Sequence, residues 1–178
     1  MFLRRLSFAI ALLGLACSAA FAATPATSSN PLLNEWTGPY GGVPPFDQVK
    51  VEQFKPALLA AMQQNLEEID AIANSTDPPT FDNTIVPLER AGSALERVQA
   101  VYGVWTGSLN NDAVTRVESE MDPLIAAHGD KIIQNAKLYA RIEAVYNSPA
   151  KSSLTSEQQR LVWAVSYTHL TLPTNREV

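Results

Sequence analysis

The stretch from Glu52 to Ala73, EQFKPALLAAMQQNLEEIDAIA, decides the fold. Phe54, Leu58, Met62, Leu66, Ile69 and Ala73 recur at steps of three and four, the apolar stripe of an amphipathic helix. Pro56 falls in the first turn, where no intrahelical N–H is lost. Asp77-Pro78-Pro79 forbids continuation, because a residue before proline is pushed out of helical backbone.

The pattern repeats downstream. A second helix is expected from about Asn83 to Leu109, with Ile85, Leu88, Gly92, Leu95, Val98, Tyr102, Trp105 and Leu109 on one stripe. That spacing suits near-antiparallel bundle packing. Gly92 would let a neighbouring helix approach closely, Asp82 would cap the first turn, and Pro87 is tolerable near the start. A third helix begins after Asp112, turns Val114, Val117, Met121, Leu124 and Ile125 inward, and should kink at Pro123. Asn135 caps a fourth carrying Leu138, Ile142 and Val145. Thr155-Ser156-Glu157-Gln158 has the form of a capping box opening a fifth. No stretch alternates with period two, so the fold class is all-α.

Upstream, Asn30 to Phe46 holds three glycines and four prolines and reads as an irregular arm. Trp36, Tyr40 and Phe46 are expected to pin it to the helices. Ahead of the arm, Arg4 and Arg5 precede an apolar run from Leu6 to Ala16, and Ala20-Phe21-Ala22 supplies a small-residue cleavage pattern. This is a secretory signal, residues 1–22, cut after Ala22, which places the mature chain in the periplasm or outside the cell. The run falls short of the roughly 20 residues a span needs, so no membrane partner remains after cleavage. Gly14 stands where a lipobox wants an aliphatic residue, which argues against lipidation of Cys17. Cleavage removes that cysteine, the one in the sequence, and leaves the mature chain dependent on packing alone.

The tail reads differently again. Val165-Ser166-Tyr167-Thr168-His169-Leu170-Thr171-Leu172-Pro173-Thr174 interrupts the helical pattern with β-branched residues and a proline, so the fifth helix is expected to stop there. The run resembles the translation of a transposase-type sequencing adapter: GTC TCT TAT ACA CAT CTG ACG CTG CCG ACG encodes these ten residues in order. The expectation is a helical region over 23–164 and a non-native tail over 165–178.

Across all 178 residues, 13 basic side chains face 18 acidic ones, a formal charge of −5. An acidic balance argues against nucleic acid or an anionic membrane as partner, since both need clustered Lys and Arg. One cysteine excludes an internal disulfide framework, and two histidines leave little for a metal. Within the helical region His128 reads as a helix cap or surface group. The acidic sets Glu67, Glu68, Asp70 and Glu118, Glu120, Asp122 read as solvated helix faces, with no histidine or cysteine beside them. Gly38, Gly41 and Gly42 neither follow a strand nor open a helix, so they form no phosphate cradle. Asn74-Ser75-Thr76 fits a glycosylation acceptor only weakly. No catalytic, cofactor-binding or metal-ligating residue is assigned.

The arm and helices nevertheless resemble the beginning of peptidyl-dipeptidases, the dipeptidyl carboxypeptidase branch of the M3 (thimet oligopeptidase-like) zinc metallopeptidases. The likeness is carried by Asn30 to Leu33, Trp36 to Asp47, Phe54 to Leu58, Pro79 to Ile85 with Leu88-Glu89, Val101 to Trp105, Leu138 to Ile142, and Gln159 to Trp163. Pro87 departs from it. The resemblance implies a mostly helical peptidase with a deep channel, whose zinc sits on an H-E-x-x-H helix with a downstream glutamate. None of those residues lies in this stretch, so the chain would be a channel-wall fragment without zinc or activity of its own. Short peptides would be the substrates of the full-length parent. A free-standing secreted helical interaction module is the alternative.

Overall fold

The computed structural model describes residues 30–40 and 42–170; the expected leader over 1–22, Gly41 and the end of the tail lie outside the described residues. The described residues form helices and turns, with a lone antiparallel bridge between Thr37 and Val43. The all-α reading holds.

Helix α1 (Phe54–Ala73) is the axis. It follows a 3-10 turn at Val51–Gln53 and buries Phe54, Leu58, Met62, Ile69 and Ala73 of the expected stripe. Two apolar clusters lie along it. The first gathers Leu32 of the arm, Val49 just after it, the amino-terminal half of α1, and Leu95, Val98, Val101, Tyr102 and Met121. The second gathers Ile69, Ile72 and Ala73 with Ile85, Leu138, Ile142, Val145 and Val162. Between them the inward positions turn polar: Asn65 on α1 is 6% exposed and His128 is 8% exposed.

The expected second helix is three pieces. A π-helical turn at Phe81–Ile85 leads into α2 (Val86–Arg90), and α3 (Ser93–Ser108) starts afresh. The break is Gly92, with φ of +83°, a left-handed conformation costly for other residues. A Cβ there would also stand 3.0 Å from the Asn65 side chain. Close approach at Gly92 was thus foreseen, but at a corner and not on a continuous face. The N-cap is Thr80, two residues before the expected Asp82. Thr80 Oγ1 accepts from the Asn83 N–H at 3.1 Å, and the Thr80 N–H donates to Asn83 Oδ1 at 2.8 Å. Asp82 stays exposed in the first turn, and Leu109, expected inward, is exposed just past the end of α3.

Helix α4 (Asp112–Ile133) is capped by Asn111, whose Oδ1 accepts from the N–H groups of Ala113 and Val114. It runs through Pro123 without a break, buries Val114 and Met121, and leaves Leu124 exposed. Helix α5 (Ala136–Asn147) is capped by Asn135 and buries Leu138, Ile142 and Val145, as read from the spacing. The Thr155–Gln158 box closes in both directions at the start of α6 (Ser156–Leu170). Helix α6 does not stop at Ala164. Val162, Val165, Ser166 and His169 follow three- and four-residue steps, and the buried Val162 and Ser166 show that the inward face continues. That face outweighs the few tenths of a kcal/mol that β-branched residues cost in a helix.

Leu32 and Trp36 of the arm, and Val49 just after it, belong with the first cluster. Tyr40 is fully exposed and Phe46 exposed, so neither pins the arm as expected. The loop turns back at Gly42, where a Cβ would lie 2.6 Å from Trp36 Cβ.

Arg141 joins the second half together. It is 7% exposed, and its guanidinium donates to the carbonyls of Ser75 and Asp77, both at 2.9 Å. It also donates to Asn83 Oδ1 at 3.2 Å and Thr84 Oγ1 at 3.3 Å. One side chain on α5 therefore holds both the turn leaving α1 and the turn entering α2. Replacing it, as in Arg141→Met, removes four hydrogen bonds, leaves the buried Thr84 hydroxyl without its donor, and should lower stability by about 3 kcal/mol. Arg141→Lys, with no planar fork, should recover only part of that. Urea denaturation of the three proteins checks the order.

Candidate functional site

Among the clefts on the described surface are two broad ones. One, of about 570 Å³, runs between the end of α1 and α2. Ala71, Ile72, Val86, Pro87 and Ala91 line it with apolar atoms, and Glu68, Asp82 and Arg90 stand among them. The other, of about 420 Å³, lies beneath the arm among Trp36, Thr37, Val43, Pro44 and Pro45. Neither brings a nucleophile to a base. No group of three or more His, Cys, Asp or Glu among the described residues could hold a metal ion, so these residues do not fit a zinc centre. No helix among them is long and apolar enough to cross a membrane.

The acidic sets separate once placed. Glu68 Oε2 accepts the Gly92 N–H at 2.7 Å, so this carboxylate caps the start of α3 across the α1 corner. Glu67 takes a hydrogen bond from Gln63 one turn back, on the surface as read. Glu120 binds Lys55 of α1 at 2.6 Å, and that hydrogen bond and charge hold its carboxyl below the usual range. Glu118 and Asp122 stand near Tyr102 on α3, whose buried hydroxyl has no hydrogen-bond partner. Burial first, then the two carboxylates, push the phenol up to about 12.

The histidines are also placed otherwise than by pattern. His128 is neither a cap nor a surface group but a core residue of α4. Its position, seven after Met121 and three after Ile125, was the available signal. Burial holds its imidazole below the ordinary histidine value. His169 is half-buried near the Ile133 backbone, and burial lowers its pKa too. The Asn74 side chain of the glycosylation-like triplet is engaged, donating to the Asp70 carbonyl at 2.8 Å and accepting from Lys137 at 2.7 Å.

The Tyr102 environment yields an alkaline test. Its folded pKa lies above the unfolded value near 10, so its contribution is complete below pH 10 and is lost as pH rises toward about 12. Tyr102→Phe should remove part of the stability loss above pH 10, and should abolish a tyrosine ionisation near pH 12 followed by ultraviolet absorbance.

No protein-family model matches the sequence. Among individual proteins, the chain is 38% identical over 136 residues to the dipeptidyl carboxypeptidase of Escherichia coli (strain K12), covering 76% of this chain and 20% of that protein. It is 36% identical over 135 residues to the dipeptidyl carboxypeptidase of Salmonella typhimurium, with the same shares. The organellar oligopeptidase A of Arabidopsis thaliana is 28% identical over 137 residues, which is 77% of this chain and 17% of that protein. The chain thus spans about a fifth of the length of the curated relatives it matches.

Proposed function

This chain is homologous to the dipeptidyl carboxypeptidases and, at lower identity, to oligopeptidase A, and we propose that it is the amino-terminal portion of a zinc metallopeptidase of that M3 kind. The parent removes dipeptides from the carboxyl end of short peptides, in the periplasm or outside the cell, after a leader is cut behind Ala22. The observation that carries this reading is the homology itself, 38% identity across three quarters of the chain against one fifth of the relative.

The chain's own residues supply wall rather than chemistry in this proposal. Packed helices present open clefts, the one between α1 and α2 mainly apolar, and Glu68, Glu120, Asn83 and Arg141 are committed to holding the helices together. Zinc and the residues that hold it belong to the remaining part of the parent. The tail from Val165 is read as translated adapter, appended where the native gene continued.

With added zinc, the chain should release no dipeptide from a short blocked peptide. Turnover above background that a chelator abolishes would overturn its assignment as an inactive portion. The genomic locus read past codon 163 should replace the adapter bases with coding sequence and reach an H-E-x-x-H motif. A locus that reads through the same ten codons would refute the adapter reading.

A further inference from the structure

The two apolar clusters meet at a polar waist, and His128 is the titratable group buried there. Toward its start α4 feeds the first cluster through Met121, Val117 and Ile125, and toward its end it feeds the second through Ile132. His128 falls between these contacts, 8% exposed, on the inward stripe of the helix. Its ring faces the Met62 carbonyl of α1, and its Nε2 is buried with no hydrogen-bond partner. The neutral ring tolerates that position as an apolar plate with one interhelical contact. A protonated ring would bring a charge and a second N–H donor into a place that offers no acceptor for it.

We propose that His128 is a pH-sensitive latch between α1 and α4: neutral, it closes the seam at the waist, and protonated, it releases the carboxyl-terminal half of α4 from α1. The charges around it do not offset protonation. Lys131, on its own helix, opposes it. Helix α1 offers the Met62 carbonyl, and its Glu68 is committed to the Gly92 N–H. Glu96 and Arg97 lie on α3, and Glu52 on the 3-10 turn that also packs on α4. Burial lowers the folded pKa below the free value of 6.5, so the linkage runs one way. Stability is complete above pH 6.5 and falls as pH drops from there to the folded pKa, because the unfolded chain takes the proton first.

The test follows the chain by NMR between pH 8 and 4.5. The His128 imidazole should titrate below 6.5, and exchange of the amides from about 126 to 132, corrected for intrinsic rate, should rise with the same midpoint. Each unit of pKa depression corresponds to roughly a tenfold gain in the open population. Amides of α5 should not share that midpoint. His128→Gln and His128→Leu should each remove the acid-dependent rise, while His169→Gln should keep it. A His128 midpoint at or above the ordinary value, or a rise in α4 exchange that does not track it, would overturn the latch in the wild-type chain alone, whether or not either variant folds. Persistence of the rise in a folded His128 variant would overturn it equally.

Discussion

The molecule is arranged around the need to bury one face of α1 along its whole length. Twenty residues at 1.5 Å each make an axis of about 30 Å, longer than a single compact cluster of this size can cover. The face is therefore shared. Phe54, Leu58 and Met62 belong to one cluster, and Ile69, Ile72 and Ala73 to the other. At the changeover the inward side chain is Asn65, whose amide stands against the Gly92 backbone. The waist on α1 is where its partners must be exchanged, and the neighbouring helices are cut or turned to fit it.

That requirement explains the corner at Gly92. A continuous helix from Asn83 to Leu109 would be about 40 Å long and would carry its stripe straight on. Instead Leu88 and Ala91 pack with the second cluster, while Ala94, Leu95 and Val98 pack with the first. Turning at a left-handed glycine lets both sets reach α1, and the Glu68 carboxylate satisfies the N–H freed at the new helix start. The other junction is tied by Arg141. Its buried cation meets two backbone carbonyls, an amide oxygen and a hydroxyl, four neutral acceptors from both sides of the Pro78-Pro79 turn. Of these acceptors the Thr84 hydroxyl is fully buried, and the others sit at the partly exposed turn that the guanidinium closes.

Periodicity made α1, α4 and α5 legible, because each lays its apolar residues on one stripe, and at α5 the Asn135 cap was recognisable as well. It failed where a stripe carried on through a change of direction. Gly92 keeps perfect three- and four-residue step with Leu88 and Leu95, so the sequence pattern cannot separate a close-packed glycine from a corner. His128 was missed for a related reason: a polar residue on an apolar stripe was weighed by its chemistry and not by its position. Leu124 and Leu109 erred in the other sense, being apolar residues placed outward. In α6 the reverse held, since Val162, Val165 and Ser166 sustain an inward face that composition alone reads as broken. The absence of an assigned reactive centre was a reading of motifs, which geometry addresses differently, by showing where each polar group is used.

That use bears on the functional reading. In a catalytic cleft, carboxylates and imidazoles converge on open space with their pKa values driven apart. Here the polar groups converge on backbone and on one another. Glu68 is spent on a helix start, Glu120 on Lys55, and Glu118 and Asp122 act on a tyrosine sealed inside. Asn83 Oδ1 accepts from Thr80, Thr84 and Arg141, and its Nδ2 donates to the Pro78 carbonyl. Much of the polar chemistry placed here goes into fixing shape, while the Tyr102 hydroxyl and the His128 Nε2 stay buried without a partner. On the proposed channel-wall reading, shape is what the region has to supply, since excluding a folded protein and admitting an extended peptide depends on where helices stand and not on what they react with.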